Sequence, residues 1–576
     1  MKTSEQAEII EFLSRNPHNM MIKATAGSGK TTTLLWIVEE VFMNKTVVVV
    51  SFTKKVALNM QQKLSRSNLH KATAINMHRI GYRFFAFNGY DIDVREDKVL
   101  DIATALIHRY HQSEDVKLFS RAVEVSRLVG LARVRLIRNI TPQHMLILAE
   151  EFGYDDSEDP DRPEGIPSIP EIAFETLMIS DKMFEEYGIC DFDDMIVQPL
   201  RLNMDTPDEF DNIEVAMIDE VQDLNQAQRE LFFRIVNKNT QIIAAGDPGQ
   251  AMFRFAGADA DSLDQMREMM HLHGRTIDRT LTITFRCPTL HVNELRRYDP
   301  DIKAYNGAQQ GSITTIEQEH IQDYLETDMS AMLIARWNRT LVNAALSLIK
   351  HGLIVKVVGQ NLDGRIISFA KQSLENWEVG FDYAINFSST INAYEAYRIN
   401  QMRRQEKSES RINEVVDIAA CCKIFFREHM YYVNNPQKST RIMGCTYTPD
   451  IKSYNKYVRD MINKDKYDVI AMTIHKAKGS EAEQIFLLGA DQMPYTYDGQ
   501  SDADLEEEKR IMYVAMSRSQ RELYLVRTQD ISGRIVLDIY EGESDPNLAA
   551  MKLLGLIDDD EEEEYSPSML ERIMNG

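Results

Sequence analysis

The stretch ATAGSGKTTT, residues 24–33, does most to limit what this chain can fold into. A run of small residues ending in Gly-Lys-Thr suits a strand, a tight turn and a helix whose first N–H groups converge on an anion. The strict phosphate-loop pattern is G-x-x-x-x-G-K-[ST]. Gly29, Lys30 and Thr31 are in register with it, but Ala24 stands where the first glycine belongs. Gly27 and Gly29 would supply backbone freedom, Lys30 a charge and Thr31 a hydroxyl for Mg²⁺, with Thr25, Ala26, Ser28 and Thr32 completing the cradle. The competing reading is a strand–turn–helix with no ligand.

A phosphate site also needs carboxylates on a neighbouring strand. VAMIDEVQD (215–223) is an apolar strand running into Asp219 and Glu220. Adjacent acids there suit Mg²⁺ coordination through Asp219 and water activation through Glu220. Acids after an apolar run are common, so the pair gains weight only beside the loop. GDPGQAMFRFAGAD (246–259) follows another apolar strand and places Gln250 where a γ-phosphate could be sensed. Phe253 and Phe255 flank Arg254, an arrangement that can stack single-stranded bases at about 1–3 kcal/mol each or simply pack in a core.

Around these motifs, apolar strands alternate with helical stretches, as a parallel α/β domain requires. Strands are expected at 19–24, 46–52, 215–220 and 241–247, with helices at 31–42 and after residue 53. A second series comprises 331–336, 353–359, 468–475, 484–490 and 522–526. Polar, mainly helical stretches interrupt each series. The expected domains are therefore a first motor domain at 1–79 and 191–275 with a helical insertion at 80–190. A second motor domain at 276–360 and 469–540 holds a helical insertion at 361–468, and an acidic tail occupies 541–576. The first insertion contains Arg127, Arg133, Arg135 and Arg138 in an acid-free run, read either as a duplex-phosphate contact or as a solvated helix face.

Composition excludes several classes. Neither a signal peptide nor the roughly 20 apolar residues of a membrane span is present, which gives a cytoplasmic expectation with no membrane partner. Five scattered cysteines without a C-x-x-C pair suggest neither a disulfide framework nor a zinc or iron–sulfur site. The formal net charge of −24 argues little against nucleic acid, because local patches decide binding. Much of that acidity lies in the unbroken carboxylate run Asp558 to Glu564, which should stay solvated and flexible. Leu570, Ile573 and Met574 beyond it could form a short helix that docks on a protein partner, the competing and favoured reading being disorder with no partner.

In their order along residues 3–526, these motifs resemble those of superfamily 1 helicases of the UvrD/Rep/PcrA type. The resemblance implies an α/β fold of two RecA-like parallel-sheet motor domains, ATP and Mg²⁺ as cofactors, and single-stranded DNA and its junctions with duplex as partner. It also implies a role for further residues. Gln6 would read adenine, and Ala24 becomes an ordinary first loop residue. Phe52 and Thr53 in SFTKKVALNM, His78 in INMHRIG, Phe253, Phe255, and His475 in TIHKAKGSEAEQ would contact DNA. Phe285 would stack on adenine and Glu481 would hold the ribose. Arg286 in TFRCPTL and Arg518 in YVAMSRS would reach the γ-phosphate from the second domain. DFDDM (191–195) is similar to the acidic motif where the chain re-enters the first domain.

The activity this implies is ATP-dependent translocation on single-stranded DNA and duplex unwinding; a monomer is favoured, the sequence itself being silent on oligomeric state. The polarity would be 3′→5′, since the third motif resembles the UvrD type and not the proline-containing version of the opposite branch. The chain departs from the family's pattern at Lys54, Gly249, Phe255, Ala256, Phe285, Ser480 and Ala482, and its second insertion looks short. An alternative is therefore a DNA-stimulated ATPase that displaces proteins without processive unwinding. A helicase–nuclease is disfavoured, because about 50 residues after the last motif are too few for a domain.

Overall fold

The computed structural model describes residues 2–51, 54–110, 117–137, 139–152, 154–157, 167–252, 261–326, 328–359, 362–375, 383–404, 409–462, 467–497 and 500–528. The expected acidic tail lies outside them. The chain divides into a larger unit, Met1–Gln360 with Gln401–Ile412 and Ile462–Thr528, and a smaller one, Asn361–Asn400 with Asn413–Met461.

Two six-stranded parallel sheets build the larger unit. Strands β1 (Asn19–Ala24), β2 (Val47–Ser51) and β3 (Ala72–Asn76) open the first. A short parallel ribbon of β4 (Asp93–Val94) and β5 (Ile189–Cys190) brackets the helical excursion that follows. The first sheet then resumes with β6 (Val215–Ile218), β7 (Gln241–Gly246) and β8 (Thr276–Leu281), in the spatial order β3-β2-β6-β7-β1-β8.

Its apolar runs are unbroken because both faces are covered. Met21, Val48, Val50, Ala216 and Ile218 enter one core. Their neighbours Met20, Ile22, Val47, Val49, Val215 and Met217 enter the other. Each such fully buried aliphatic contributes about 1.5–3 kcal/mol.

β8 corrects one expected boundary. Residues from 276 were assigned to the second domain, yet β8 pairs along its whole length with β1 and completes the first sheet. The sequence TIDRTL hides this, because an edge strand is only partly buried and alternates polar with apolar residues.

A small parallel pair, β9 (Ile283–Thr284) with β10 (Lys303–Ala304), leads to the second sheet. That sheet comprises β11 (Ser312–Glu317), β12 (Ala331–Ala335), β13 (Val355–Val358), β14 (Val469–Thr473), β15 (Ala482–Leu488) and β16 (Ser519–Arg527). Its spatial order is β11-β16-β15-β12-β14-β13.

The excursion between β4 and β5 is helical: Lys98–Tyr110, Lys117–Val134, Pro142–Glu151 and Ile169–Tyr187 share one apolar core. Here the arginine run divides: Arg127 lies on an exposed helix face, as the second reading above has it, while Arg133 fits neither reading. Arg133 is fully buried, donating to Asp191 Oδ2 and Ser180 Oγ at 2.7 Å each and lying 3.1 Å from Asp194. Lys98 joins the same cluster at 2.8 Å from Asp194. Burial would depress Arg133, but Asp194 and Asp191 outweigh it and hold the guanidinium above its usual range. The DFDDM acids thus form a buried ionic clasp between the excursion and the helix Phe192–Arg201. Arg135 pairs with Glu151, while Arg138 lies outside the described residues.

Every regular element among the smaller unit's described residues is a helix, and the unit is packed around aromatic rings. Phe387 and Phe426 stack at 4.6 Å, with Tyr454 at 4.9 Å from Phe387.

Candidate active site

In an open parallel sheet the ligand site forms beyond the carboxyl ends of the strands. Strands β6, β7 and β1 are adjacent in the first sheet, so the segments that follow them converge. They carry Asp219 and Glu220, Gln250, and the 24–31 loop respectively.

The loop is shaped by two glycines in the left-handed region, Gly27 at φ 71° and Gly29 at φ 79°. Gly29 caps helix α2, Lys30–Glu40, with no side-chain capping bond, so N–H groups of its first turn are left for an anion. Lys30 Nζ donates to Glu220 Oε2 at 2.7 Å, and Thr31 Oγ1 donates to Asp219 Oδ2 at 2.8 Å. Glu220 sits at φ 58°, a strained value for a side-chain-bearing residue, and its own N–H is tied to Asp219 Oδ1 at 2.9 Å.

The charges are uneven. Burial would lower Lys30, but Glu220, Asp219 and Asp247 surround it and hold its ammonium above the usual range. Burial also acts to raise Glu220, yet Lys30 and Lys478 outweigh it and pull the carboxyl down to about 2. Asp219 goes the other way, to about 6, because burial and the Glu220 charge both disfavour its ionised form. Glu220 is therefore a ready anion, and Asp219 is a carboxylate whose charge a cation would relieve.

A hydroxyl beside a carboxylate oxygen fits Mg²⁺, which takes hard oxygen ligands and commonly only one or two carboxylates, the rest being water and phosphate. Among the described residues no group of three or more His, Cys, Asp or Glu side chains could hold a metal. Thr31 and Asp219 would thus hold the ion together with phosphate oxygens. Bound there, Mg²⁺ would supply charge neutralisation during phosphoryl transfer.

Gln6 is buried in helix α1 (Ser4–Arg15), where it forms a capping box with Thr3. Its Nε2 donates to Thr33 Oγ1 at 3.0 Å and Ser28 O at 3.4 Å, which fixes it against the loop. Phe285 follows β9; its N–H donates to Gly27 O at 2.9 Å, and its ring is 43% exposed. Beyond it, Arg286 Nε donates to Glu481 Oε2 at 2.5 Å and Nη1 to Ser517 O at 3.4 Å. Arg518 is 1% exposed, with Nη2 donating to Gln250 Oε1 at 3.3 Å and Nε to Val514 O at 2.9 Å. Burial and the neighbouring Arg286 bring Arg518 down to about 10, which leaves it cationic at neutral pH.

The structure therefore brings Lys30, Thr31, Asp219, Glu220, Gln250 and Arg518 into one hydrogen-bonded neighbourhood, with Gln6, Phe285, Arg286 and Glu481 along its rim. The chain belongs to the UvrD-like helicase family. Residues 3–271 match the UvrD/REP helicase N-terminal domain, and residues 198–530 match the UvrD-like helicase C-terminal domain. As a member it is an ATP-hydrolysing DNA helicase.

Relatives of similar length support this. The chain is 20% identical to "ATP-dependent DNA helicase Rep" of Buchnera aphidicola subsp. Baizongia pistaciae over 88% of each chain. It is 20% identical to "Probable DNA helicase II homolog" of Mycoplasma pneumoniae over 90% of this chain and 83% of that one. It is also 20% identical to "ATP-dependent DNA helicase PcrA" of Leuconostoc citreum over 91% and 81%.

For this UvrD-like helicase, the residues expected to touch DNA are less fully placed. Phe52, Thr53, Phe253 and Phe255 lie outside the described residues. His78 is half-buried beside Phe192, ring centroids 5.4 Å apart, and Phe192 is 44% exposed. The exposed ring of DFDDM is a surface candidate that attention to its acids obscured.

Burial, with Arg336 and Lys478 adding, depresses His475 to about 3. In the strand-free protein the imidazole is therefore neutral at working pH. His475→Ala should then weaken single-strand binding without changing the slope of log affinity against log salt. A slope reduced by about 0.7, one phosphate charge on a single strand, would show a protonated histidine instead.

Further residues escaped the motif reading. Lys478 Nζ donates to Asp223 Oδ1 and to Gln250 O, each at 2.6 Å, and joins the second domain's loop to the first. Gln222 Nε2 donates to Glu220 Oε2 at 2.5 Å. Tyr305 packs on Phe285 with centroids 4.9 Å apart. The second aspartate of DEVQD was visible in the sequence, but nothing local marks its lysine partner.

Proposed function

We infer that this helicase steps 3′→5′ along single-stranded DNA and separates duplex ahead of it, using ATP turnover between its two sheets. The observation that carries the reading is the set of direct links across that boundary: Arg518 to Gln250, and Lys478 to both Asp223 and Gln250. Groups that reach from one domain to the other can convert the presence or loss of a γ-phosphate into closure or opening.

In this reading, phosphate oxygens draw Lys30 away from Glu220, and Glu220 is left free to orient and deprotonate the attacking water. Arg518 and Arg286 shift from Gln250 and Glu481 to the transferred phosphoryl group. Phe285, backed by Tyr305, stacks on the base beside Gln6. Phe52, Thr53, His78, Phe253, Phe255 and His475 hold the strand. The polarity is supported by the third motif's likeness to the UvrD type.

Tailed duplexes test the polarity. Strand separation from 3′ tails and none from 5′ tails is expected; separation only from 5′ tails would contradict it. A second reading, displacement of bound proteins without processive unwinding, is favoured by the altered stacking residues Phe255 and Ala256 and by the short second insertion. Strong single-strand-stimulated turnover with no strand separation would select it.

A further inference from the structure

The helix Asp502–Met516 carries a tyrosine outside the arginine and carboxylate roles described above. Tyr513 is fully buried, yet its hydroxyl lies 2.9 Å from the backbone nitrogen of Ala26, in the loop after β1. The same oxygen is 3.3 Å from Asp299 Oδ2. The directions are settled by chemistry: the Ala26 N–H can only donate and the carboxylate accepts, so the phenol accepts from one and donates its single proton to the other. Burial, with Asp247 and Asp299 adding, holds the phenol well above its usual range, so the proton stays on it.

The ring is as closely placed as the hydroxyl. A Cβ on Gly249, in the loop after β7, would lie 2.8 Å from Tyr513 Cε1 and 3.0 Å from Cδ1. Glycine at 249 is what admits the ring. Ala26 and Met252, from the loops after β1 and β7, are buried in the same apolar cluster as Tyr513, Met472 and Ile474. Tyr513 therefore stands where the phosphate loop, the Gln250 loop and the second domain meet.

It is also joined to Arg518. Ser517 N–H donates to Tyr513 O at 3.1 Å, and Arg518 Nε donates to Val514 O at 2.9 Å. The arginine thus folds back onto the turn that Tyr513 begins. Core packing alone would be served by phenylalanine, and a buried hydroxyl costs stability unless both its partners are supplied.

We propose that Tyr513 is a positioning residue that ties the phosphate loop to the helix preceding Arg518, so that the loop's backbone sets where that arginine stands during turnover. The inference rests on the reading of this site as the one that hydrolyses ATP.

Tyr513→Phe keeps the ring and removes only the hydroxyl. It is expected to lower the DNA-stimulated kcat about two- to tenfold, the effect of one buried hydrogen bond, with KM for ATP within about twofold. ATP consumed per nucleotide travelled should rise. Gly249→Ala, which pushes the ring, should lower kcat in the parent but cost less in a Tyr513→Ala background, where both crowding ring atoms are gone and Asp247 Oδ1 at 3.2 Å is the remaining close neighbour.

Parental kcat and parental coupling in Tyr513→Phe would overturn the proposal, as would equal harm from Gly249→Ala in both backgrounds. Either result leaves the site reading standing, since the parent still turns over ATP. A parent chain without ATP turnover would overturn the site reading, and this inference with it.

Discussion

Glu220→Gln is expected to reduce DNA-stimulated ATP hydrolysis by about 10²–10⁴-fold, the range for a positioned general base, while nucleotide still binds. Glu220 is held at about 2, burial being outweighed by Lys30 and Lys478, so it is ionised throughout the working range. Glutamine keeps the length and the hydrogen-bonding capacity toward Gln222 but cannot take a proton from water. It also removes the partner that Lys30 holds at 2.7 Å, so Lys30 is more available to phosphate and binding should not weaken. Single-turnover hydrolysis and fluorescent-nucleotide titration separate the two quantities. Near-parental hydrolysis in Glu220→Gln would remove Glu220 as the base. Lys30→Ala, by contrast, should lose binding and hydrolysis together.

Arg518→Ala should be at least as severe for the chemical step, about 10³–10⁵-fold, the contribution of an arginine finger. Arg518 is buried, cationic and already oriented by Val514 O, Ser480 O and Gln250 Oε1. Little reorganisation is then needed to present it to a phosphoryl group. In the proposed role its contact is with charge that develops during transfer, so kcat should fall far more than nucleotide affinity. Arg518→Lys should recover little, since one ammonium cannot replace a planar fork held at several points. Loss of nucleotide binding with hydrolysis of the bound fraction intact would contradict the role.

What could be read from the sequence was what is local. The loop at 24–31 and the acids at 219 and 220 depend on a strand, a turn and the next few residues, and those patterns are written contiguously. The parallel sheets were legible for the same reason, because strands covered on both faces are unbroken apolar runs such as VVVV at 47–50. Edge strand β8 was not, since its half-exposed TIDRTL lacks that run.

Arg133 of the first insertion was misread because its partners are distant in sequence. Arg133 is explained by Asp191, Asp194 and Ser180, and no periodicity in its own helix announces a buried ion pair. The departure at Gly249 was visible, but its reason, the ring of Tyr513, lies on another domain. Lys478 and Tyr305 are likewise defined by what faces them. A sequence names the chemically able residues; which of them meet across a cleft is decided by packing.

In the proposed function, the Lys30, Glu220 and Arg518 site hydrolyses ATP in step with a nucleic-acid strand. The most direct measurement is the steady-state ATP turnover of the full chain alone, with single-stranded DNA, and with single-stranded RNA of the same sequence. Turnover that rises strongly with DNA, less with RNA, and vanishes in Lys30→Ala is the predicted result. Turnover indifferent to any strand, or undiminished in Lys30→Ala, would contradict it.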